Sequence, residues 1–293
     1  MASRNRSSVR ILFLAALLVI PVLARGGMTV LLKDGRSFSI PVNPEEIASI
    51  SFGAASVSSP SAAPTASSLP VTDGLAAWLD AGDPATLFQT PEGAQPVAAG
   101  NQPVGLWRDK SGNDNHFQQA KPESRPRLTK TAIGNKPSIT FETKHSTSLP
   151  ANFPAPVTVV YLGRLTGGSN ARVLSAISNN WLLGFWGGAK NQGFYEGWVS
   201  PSGSPPADNL PHVFASIVRG PGQSSEVWAD GVQVAANQNG VTGPNGLAIN
   251  SGRYPGEVSD CQVAEILVYS RALSGDERSQ IESYLRSKWG VGR

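Results

Sequence analysis

Short runs of alternating apolar and polar residues, separated by turn residues, fill most of the chain beyond residue 70. Alternation with a period of two places successive side chains on opposite faces of a strand, so each run predicts a strand. The predicted strands lie near 74–79, 104–108, 138–142, 156–163, 171–177, 181–186, 193–199, 211–218, 225–229, 232–235, 246–249 and 261–269. Many strands joined by short turns favour an all-β fold, an antiparallel β-sandwich, over a sheet with crossover helices.

Two Asp-Gly pairs predict hairpins, because both residue types tolerate the positive φ angles of a type I′ turn. The pair at 230–231 joins two of the alternating runs. The pair at 34–35 lies within residues 28–52, a small β unit with too few apolar side chains to fold alone. We therefore expect this unit to dock on another surface.

The end of the chain follows a different, helical pattern. Ser274 followed by Glu277 forms a capping box, which marks the start of a helix. Ile281, Leu285 and Trp289 then recur every four residues, and Gly290 suits the position just after the last turn. The pattern predicts one C-terminal amphipathic helix that packs its apolar stripe on the sandwich.

The first 24 residues have the layout of a secretory signal peptide: three arginines, an apolar run over 11–20 and a small-residue cleavage pattern. The apolar run is too short to span a bilayer, and no later stretch is apolar enough to do so. A short retained anchor is the alternative. The chain is thus divided into a signal peptide (1–24), a small β-hairpin unit (25–53), an Ala/Ser/Pro linker (54–70) and a main domain (71–293).

Charge argues against a nucleic-acid partner. The chain has 24 basic and 21 acidic residues, and the leader holds three of the basic ones and no acid, so 21 of each remain after its removal. Lys and Arg do not gather into the basic patch that nucleic acid requires. The single cysteine, Cys261, opens an apolar run and is expected to be a buried thiol.

Six short segments, in order along residues 71–290, carry a family pattern. They are LAAWLDA at 75–81, WRDKSGNDN at 107–115, KPSITF at 136–141, HVFA at 212–215, VWADG at 227–231 and AEILVYSRALS at 264–274. This order resembles the LamG family, the laminin-G-like and concanavalin-A-like jelly rolls of bacterial secreted proteins. The resemblance implies two facing antiparallel sheets, one of them concave.

The same resemblance bears on function. Members of the family usually recognise glycans or proteins, sometimes with a calcium ion at the sheet edge. Relatives of the fold include glucanases and polysaccharide lyases, so the fold does not settle the function.

The turn at 109–115 concentrates oxygen-bearing side chains, which are the ligands that calcium prefers. They belong to Asp109, Ser111, Asn113, Asp114 and Asn115. Such side chains also bond their own backbone to shape turns, and Gly112 supplies a tight bend. A structural turn and a calcium site are both open interpretations.

Six aromatic residues fall within residues 181–198, on what is predicted to be one hairpin. Both faces of the hairpin carry rings, so one set can pack in the core while another lines a concave binding surface. Flat apolar rings beside polar groups suit sugar faces. The candidate ligand-binding residues are Trp181, Trp186, Asn191, Tyr195, Glu196 and Trp198.

Sequence patterns that indicate catalysis are weaker than those that indicate binding. Glucanases of this fold carry their carboxylates on one strand as Glu-x-Asp-x-x-Glu, a pattern this sequence lacks. Glu265 lies inside an apolar run, where an acid needs a partner, and is predicted to be a hydrogen-bonded structural residue. His212 fits a structural position, and nothing in the sequence pairs His116 or His145 for lyase chemistry.

The sequence therefore favours a secreted or cell-surface, non-catalytic recognition module. Its expected partner is a glycan or an extracellular protein, bound by aromatic residues of the concave sheet, and calcium is the candidate cofactor. The alternatives are a polysaccharide hydrolase or lyase on the same fold and a self-associating surface protein.

Overall fold

The structure, a computed structural model, describes residues 28–31, 37–40 and 69–292. The chain divides into two compact units, Met1–Thr65 and Ala66–Arg293. In the first unit, β1 (Met28–Leu31) pairs antiparallel with β2 (Ser37–Ile40). The predicted leader, the 33–35 turn and nearly all of the predicted linker lie outside the described residues and stay predictions.

The second unit is built mainly from short strands. In chain order they are β3 (Leu75–Asp80), β4 (Leu87–Phe88), β5 (Leu106–Trp107), β6 (Phe117–Gln118), β7 (Arg127–Ile133), β8 (Lys136–Phe141), β9 (Thr147–Asn152), β10 (Val157–Asn170), β11 (Leu174–Ser175), β12 (Trp181–Trp186), β13 (Ala189–Tyr195), β14 (His212–Val218), β15 (Ser225–Ala229), β16 (Val232–Asn237), β17 (Asn245–Ile249) and β18 (Ser259–Tyr269). Two 3₁₀ helices, Pro84–Thr86 and Pro122–Ser124, and helix α1 (Gly275–Trp289) complete the unit.

These strands form two antiparallel sheets. Sheet I has the order β16-β15-β14-β10-β18-β8-β7, with β3 also paired to β18. Sheet II has the order β13-β12-β11-β17-β9-β6-β5-β4. The expected all-β antiparallel sandwich with a C-terminal helix is confirmed.

The core lies between the sheets. Phe185 of sheet II packs edge-to-face on Phe214 of sheet I, with ring centroids 5.1 Å apart. The Tyr161 hydroxyl of sheet I donates to the Leu183 carbonyl of sheet II at 3.0 Å. Cys261 is fully buried, and burial raises the pKa of its thiol, so it is an inert core side chain.

Short-range sequence signals predict several elements well. Asp230 and Gly231 both have positive φ, as the β15–β16 hairpin requires. At the start of α1, the Ser274 hydroxyl accepts from the Glu277 amide while the Glu277 carboxylate accepts from the Ser274 amide. Gly290 ends the helix with φ 61°, so the predicted capping box and glycine stop are both confirmed. Among the described residues, no helix is long and apolar enough to cross a membrane.

The buried Glu265 carboxylate joins the helix to sheet I. Trp78 Nε1 on β3 donates to Oε1 at 2.7 Å, and the Tyr284 hydroxyl on α1 donates to the same oxygen at 3.0 Å. Lys288 Nζ and Trp289 Nε1, also on α1, both donate to Oε2 at 2.7 Å. Glu265 is thus the hydrogen-bonded structural acid that its place in an apolar strand predicts.

Replacing Glu265 with Ala should destabilise the protein strongly. The change leaves two indole N–H groups and the Tyr284 hydroxyl without their acceptor and removes one of the two carboxylates that pair with Lys288, which costs about 3–5 kcal/mol. Urea unfolding of both proteins measures the difference. The exposed pair of Glu142 with Lys144 supplies the matched control, and Glu142→Ala should change stability little. Equal losses in both variants would contradict the role given to Glu265.

Candidate functional site

The 109–115 turn packs against β3. Asp109 is buried, and its Oδ1 accepts from the Trp78 amide at 2.7 Å and from the Ser111 amide at 2.8 Å. Its Oδ2 accepts from the Ser111 hydroxyl at 2.6 Å and from the Asn115 amide at 3.0 Å. Both carboxylate oxygens are therefore committed to the turn and to β3.

The other members of the turn divide between structure and solvent. The Asn113 and Asn115 side-chain amides donate to the Ala76 carbonyl. The Asp114 side chain is 93% exposed. In the part of the chain that the structure describes, no three His, Cys, Asp or Glu side chains gather as metal ligands. The geometry favours the structural interpretation of this turn.

Asp109→Ala should cost about 2–4 kcal/mol of stability, because it leaves the partly buried Trp78, Ser111 and Asn115 amides without their acceptor. Thermal or urea unfolding measures the loss. Asp114→Asn, in the same turn, keeps a residue type that tolerates a φ of 57° and should be nearly neutral. A large stabilisation of the wild type by calcium, absent from Asp109→Ala, would instead restore the metal-site interpretation.

Two candidate aromatic residues lie in the core. Trp181 and Tyr195 are fully buried and stack with centroids 5.6 Å apart. The Tyr195 hydroxyl donates to the Glu226 carbonyl of sheet I. The expectation that these two rings contact a ligand is therefore wrong, because they face the opposite sheet.

Three other rings lie together at the outer face of the same hairpin, two on its strands and one on the segment that follows, and we call them the aromatic surface: Trp186, Phe194 and Trp198. All three are partly exposed. The ring of Trp198 lies 5.1 Å from that of Trp186 and 5.1 Å from that of Phe194. The strand neighbours Phe185 and Tyr195 are buried in the core, which leaves Trp186 and Phe194 on the outer face.

The chain reaches Trp198 through a sharp turn at Glu196. The sequence predicts a strand over 193–199, but β13 ends at Tyr195 because Glu196 has a φ of 60°. Such a φ is uncommon outside Gly, Asn and Asp. The following segment then folds back along β13, where Lys190 N donates to the Pro205 carbonyl and Ala207 N to the Gly188 carbonyl. This return places Trp198 over Phe194.

A chain of hydrogen bonds, here called the polar chain, borders the aromatic surface. The Glu196 carboxylate accepts from the Asn180 amide at 2.7 Å, and the Asn180 side-chain oxygen accepts from Arg172 at 2.9 Å. Arg172 Nε also donates to Glu257 Oε2, which accepts from Trp186 Nε1 at 2.9 Å. Carboxylates, an amide and a guanidinium thus stand beside the rings.

The loop at 251–258 supplies Glu257 and one more aromatic residue, Tyr254. Asn250 and Ser259 clamp the base of the loop through a side-chain amide that both donates to and accepts from the Ser259 backbone. Tyr254 is 36% exposed, and the Arg172 guanidinium lies 4.4 Å from the centre of its ring. In the sequence, this loop could have been noticed because an aromatic residue, Tyr254, stands directly before the turn residues Pro255 and Gly256.

The structure thus brings together only part of the candidate set. Three of the predicted residues lie together there: Trp186, Glu196 and Trp198. Four further residues that the sequence did not predict lie beside them: Arg172, Asn180, Tyr254 and Glu257. Asn191 lies on β13 with a φ of 64°. Among the described residues, no hydrogen bond or ring contact links Asn191 to the aromatic surface.

The segment that carries Trp198 is fastened at its far end by His212. Nδ1 of His212 lies 2.6 Å from Asp230 Oδ2, and Nε2 lies 2.8 Å from Asp208 Oδ1. Lys190 also pairs with Asp208. Burial lowers the pKa of His212, but the two carboxylates outweigh burial and raise it above the ordinary value.

This arrangement predicts a pH-dependent stability. A raised pKa in the folded state means that the contribution is complete below about pH 6.5 and is lost as the pH rises through the folded pKa. Neutral imidazole has one N–H group, so one carboxylate then loses its donor. The free energy of unfolding should therefore fall as the pH rises from about 6.5 through the raised pKa of His212.

The His212→Gln variant isolates this effect, because the other two histidines still titrate. Its free energy of unfolding should fall less over the same pH range, and the difference between the two proteins should approach the value of a charged hydrogen bond, about 1–3 kcal/mol, at low pH. Parallel pH profiles for wild type and variant would show that His212 is not held in its charged form.

The carboxylates of Asp80 and Glu265 also lie close together, but inside the protein. Lys288 Nζ is 2.8 Å from Asp80 Oδ2 and 2.7 Å from Glu265 Oε2. Both carboxylates are buried, and Lys110 also pairs with Asp80. These acids serve the fold, because an ammonium stands between them and protein covers both.

Comparison with known proteins gives a fold likeness only. No protein-family model and no curated protein matches the chain. The binding domain of Paraclostridial Mosquitocidal Protein 1 is 13% identical with a TM-score of 0.49, over 74% of this chain and 53% of that one. Domain 4 of AbnA, an extracellular arabinanase from Geobacillus stearothermophilus solved with arabinotriose, is 13% identical with a TM-score of 0.46, over 71% and 97%.

A Trypanosoma rangeli sialidase is 15% identical with a TM-score of 0.43, over 78% of this chain and 35% of that one. The chain thus spans about half of the mosquitocidal domain and about a third of the sialidase. At this similarity, the function of the chain has to be argued from its own surface.

Proposed function

We propose that the chain is an exported carbohydrate-binding module that stacks sugar rings on the aromatic surface. The observation that carries the proposal is the set of three partly exposed rings of Trp186, Phe194 and Trp198, on the outer face of sheet II, with the polar chain along one side. Export is proposed from the leader-like residues 1–24.

The chemistry of the surface suits a sugar better than a purely apolar ligand. Flat rings offer apolar area at low entropic cost, since each has only two side-chain torsions. The neighbouring Glu196 and Glu257 carboxylates and the Asn180 side-chain amide can accept from and donate to hydroxyl groups, which fixes the orientation of a ring on the platform. The ion pair of Arg172 with Glu257 holds these groups in place before a ligand arrives.

The surface is also built on a rigid base. The inward rings of the same hairpin are core residues, and Trp186 is tied to Glu257 by its indole N–H. A preorganised platform loses little freedom on binding, so modest contacts can give useful affinity.

Trp186→Ala and Trp198→Ala should each weaken binding to the best ligand of a polysaccharide and oligosaccharide array by at least about tenfold, or 1.4 kcal/mol. Isothermal titration measures the affinity, and circular dichroism checks the fold. Phe88→Ala is the matched control, because Phe88 is a partly exposed ring at the opposite edge of sheet II; its affinity should equal that of the wild type.

Three results would overturn the proposal. The first is the absence of binding to every carbohydrate on the array. The second is binding that all three variants retain. The third is release of reducing ends or of unsaturated products from a polysaccharide, which would place the chain among the enzymes of this fold.

A further inference from the structure

Tyr254 stands apart from the aromatic surface, yet it is tied to it by the polar chain. Among the described residues, Tyr254 is the one aromatic side chain with a large exposed surface, at 36%. It lies on the 251–258 loop, whose base is clamped by Asn250 and Ser259. Its ring does not belong to the core, so packing alone does not require an aromatic residue there.

Arginine side chains lie against this ring. The Arg172 guanidinium lies 4.4 Å from the ring centre and that of Arg253 lies 5.9 Å from it. Arg172 is itself buried and fixed by Glu257 and Asn180. A tyrosine backed by an immobile guanidinium is a rigid platform, as the indoles of the aromatic surface are.

The spacing between the two platforms is fixed by two side chains. From Tyr254 the contacts run to Arg172, from Arg172 to Glu257, and from Glu257 to Trp186. The ring of Tyr254 therefore cannot stack on the same sugar face as Trp186, because a guanidinium and a carboxylate lie between them. A ligand that contacts both rings must therefore contain several sugars in one chain.

The bridge also offers groups to such a chain. Glu257 uses Oε2 for both of its contacts, and its side chain remains 35% exposed. In the described part of the chain, no hydrogen bond occupies its Oε1, which can accept from a sugar hydroxyl. Arg253 is exposed, makes one long contact to the Ser178 carbonyl, and can donate beside the same point.

We propose that Tyr254 forms a second sugar subsite, so that the ligand is an oligosaccharide or polysaccharide chain rather than a single terminal sugar. This inference rests on the proposed carbohydrate-binding function. One sugar stacks on Trp186 and Trp198, a hydroxyl near the linkage meets Glu257 and Arg253, and a further unit stacks on Tyr254. Affinity then grows with chain length until both platforms are covered.

The test uses the linear oligomers, from one to six units, of the best-bound array polysaccharide. Wild-type affinity should rise at least about tenfold from the shortest bound oligomer to the plateau. Tyr254→Ala should remove that gain and leave the affinity for the shortest bound oligomer unchanged. Tyr254→Phe, which keeps the ring, should behave as the wild type, whereas Trp186→Ala should weaken binding at every length.

The outcomes separate this inference from the proposed function. Wild-type binding that does not increase with length would overturn the second subsite and leave carbohydrate binding intact. The second subsite would also be overturned if Tyr254→Ala kept the length dependence, because Tyr254 would then make no contact with the ligand. An equal loss of affinity at all lengths would overturn it too, because the role of Tyr254 would then be structural. No binding to any oligomer or polymer would overturn both.

Discussion

The fold depends on one buried carboxylate. Glu265 lies in β18, the strand that pairs with β10, β8 and β3, and it receives hydrogen bonds from the first strand of the sandwich and from the last helix. An unpaired charge at this depth would be prohibitive, so the helix must dock in the one register that supplies Tyr284, Lys288 and Trp289. The helix therefore covers the outer face of sheet I and leaves the outer face of sheet II uncovered by the helix.

The division of aromatic residues follows from the same geometry. Along β12 and β13, rings that point inward fill the space between the sheets, whereas rings that point outward contact Trp198 of the return segment and Glu257 of the 251–258 loop. The inward rings make the hairpin rigid, and that rigidity is what makes the outward rings usable as a platform. The β12–β13 strand pair thus contributes core rings from one face and rings of the candidate site from the other.

Most of the architecture could be predicted from local sequence patterns. Contacts between residues that are distant in sequence could not. The β15–β16 hairpin and the capped helix are set by neighbouring residues, so they could be predicted closely. β7 could not, since its alternation is hidden by exposed polar residues at a sheet edge. At the site, both faces of β12 are apolar, so the sequence alone could not say which rings face out. Arg172 and Glu257 lie 85 positions apart and meet only through the fold.

The clamp between Asn250 and Ser259 separates the 251–258 loop from the sheets that carry it. The exposed tip of the loop, residues 253–256, can change in length or composition while β17 keeps its place in sheet II and β18 its place in sheet I, because loops closed at their base tolerate insertions at low entropic cost. Evolution, or an engineer, thus has a segment whose sequence can be exchanged to alter what the surface selects. Selectivity can diversify here without endangering folding.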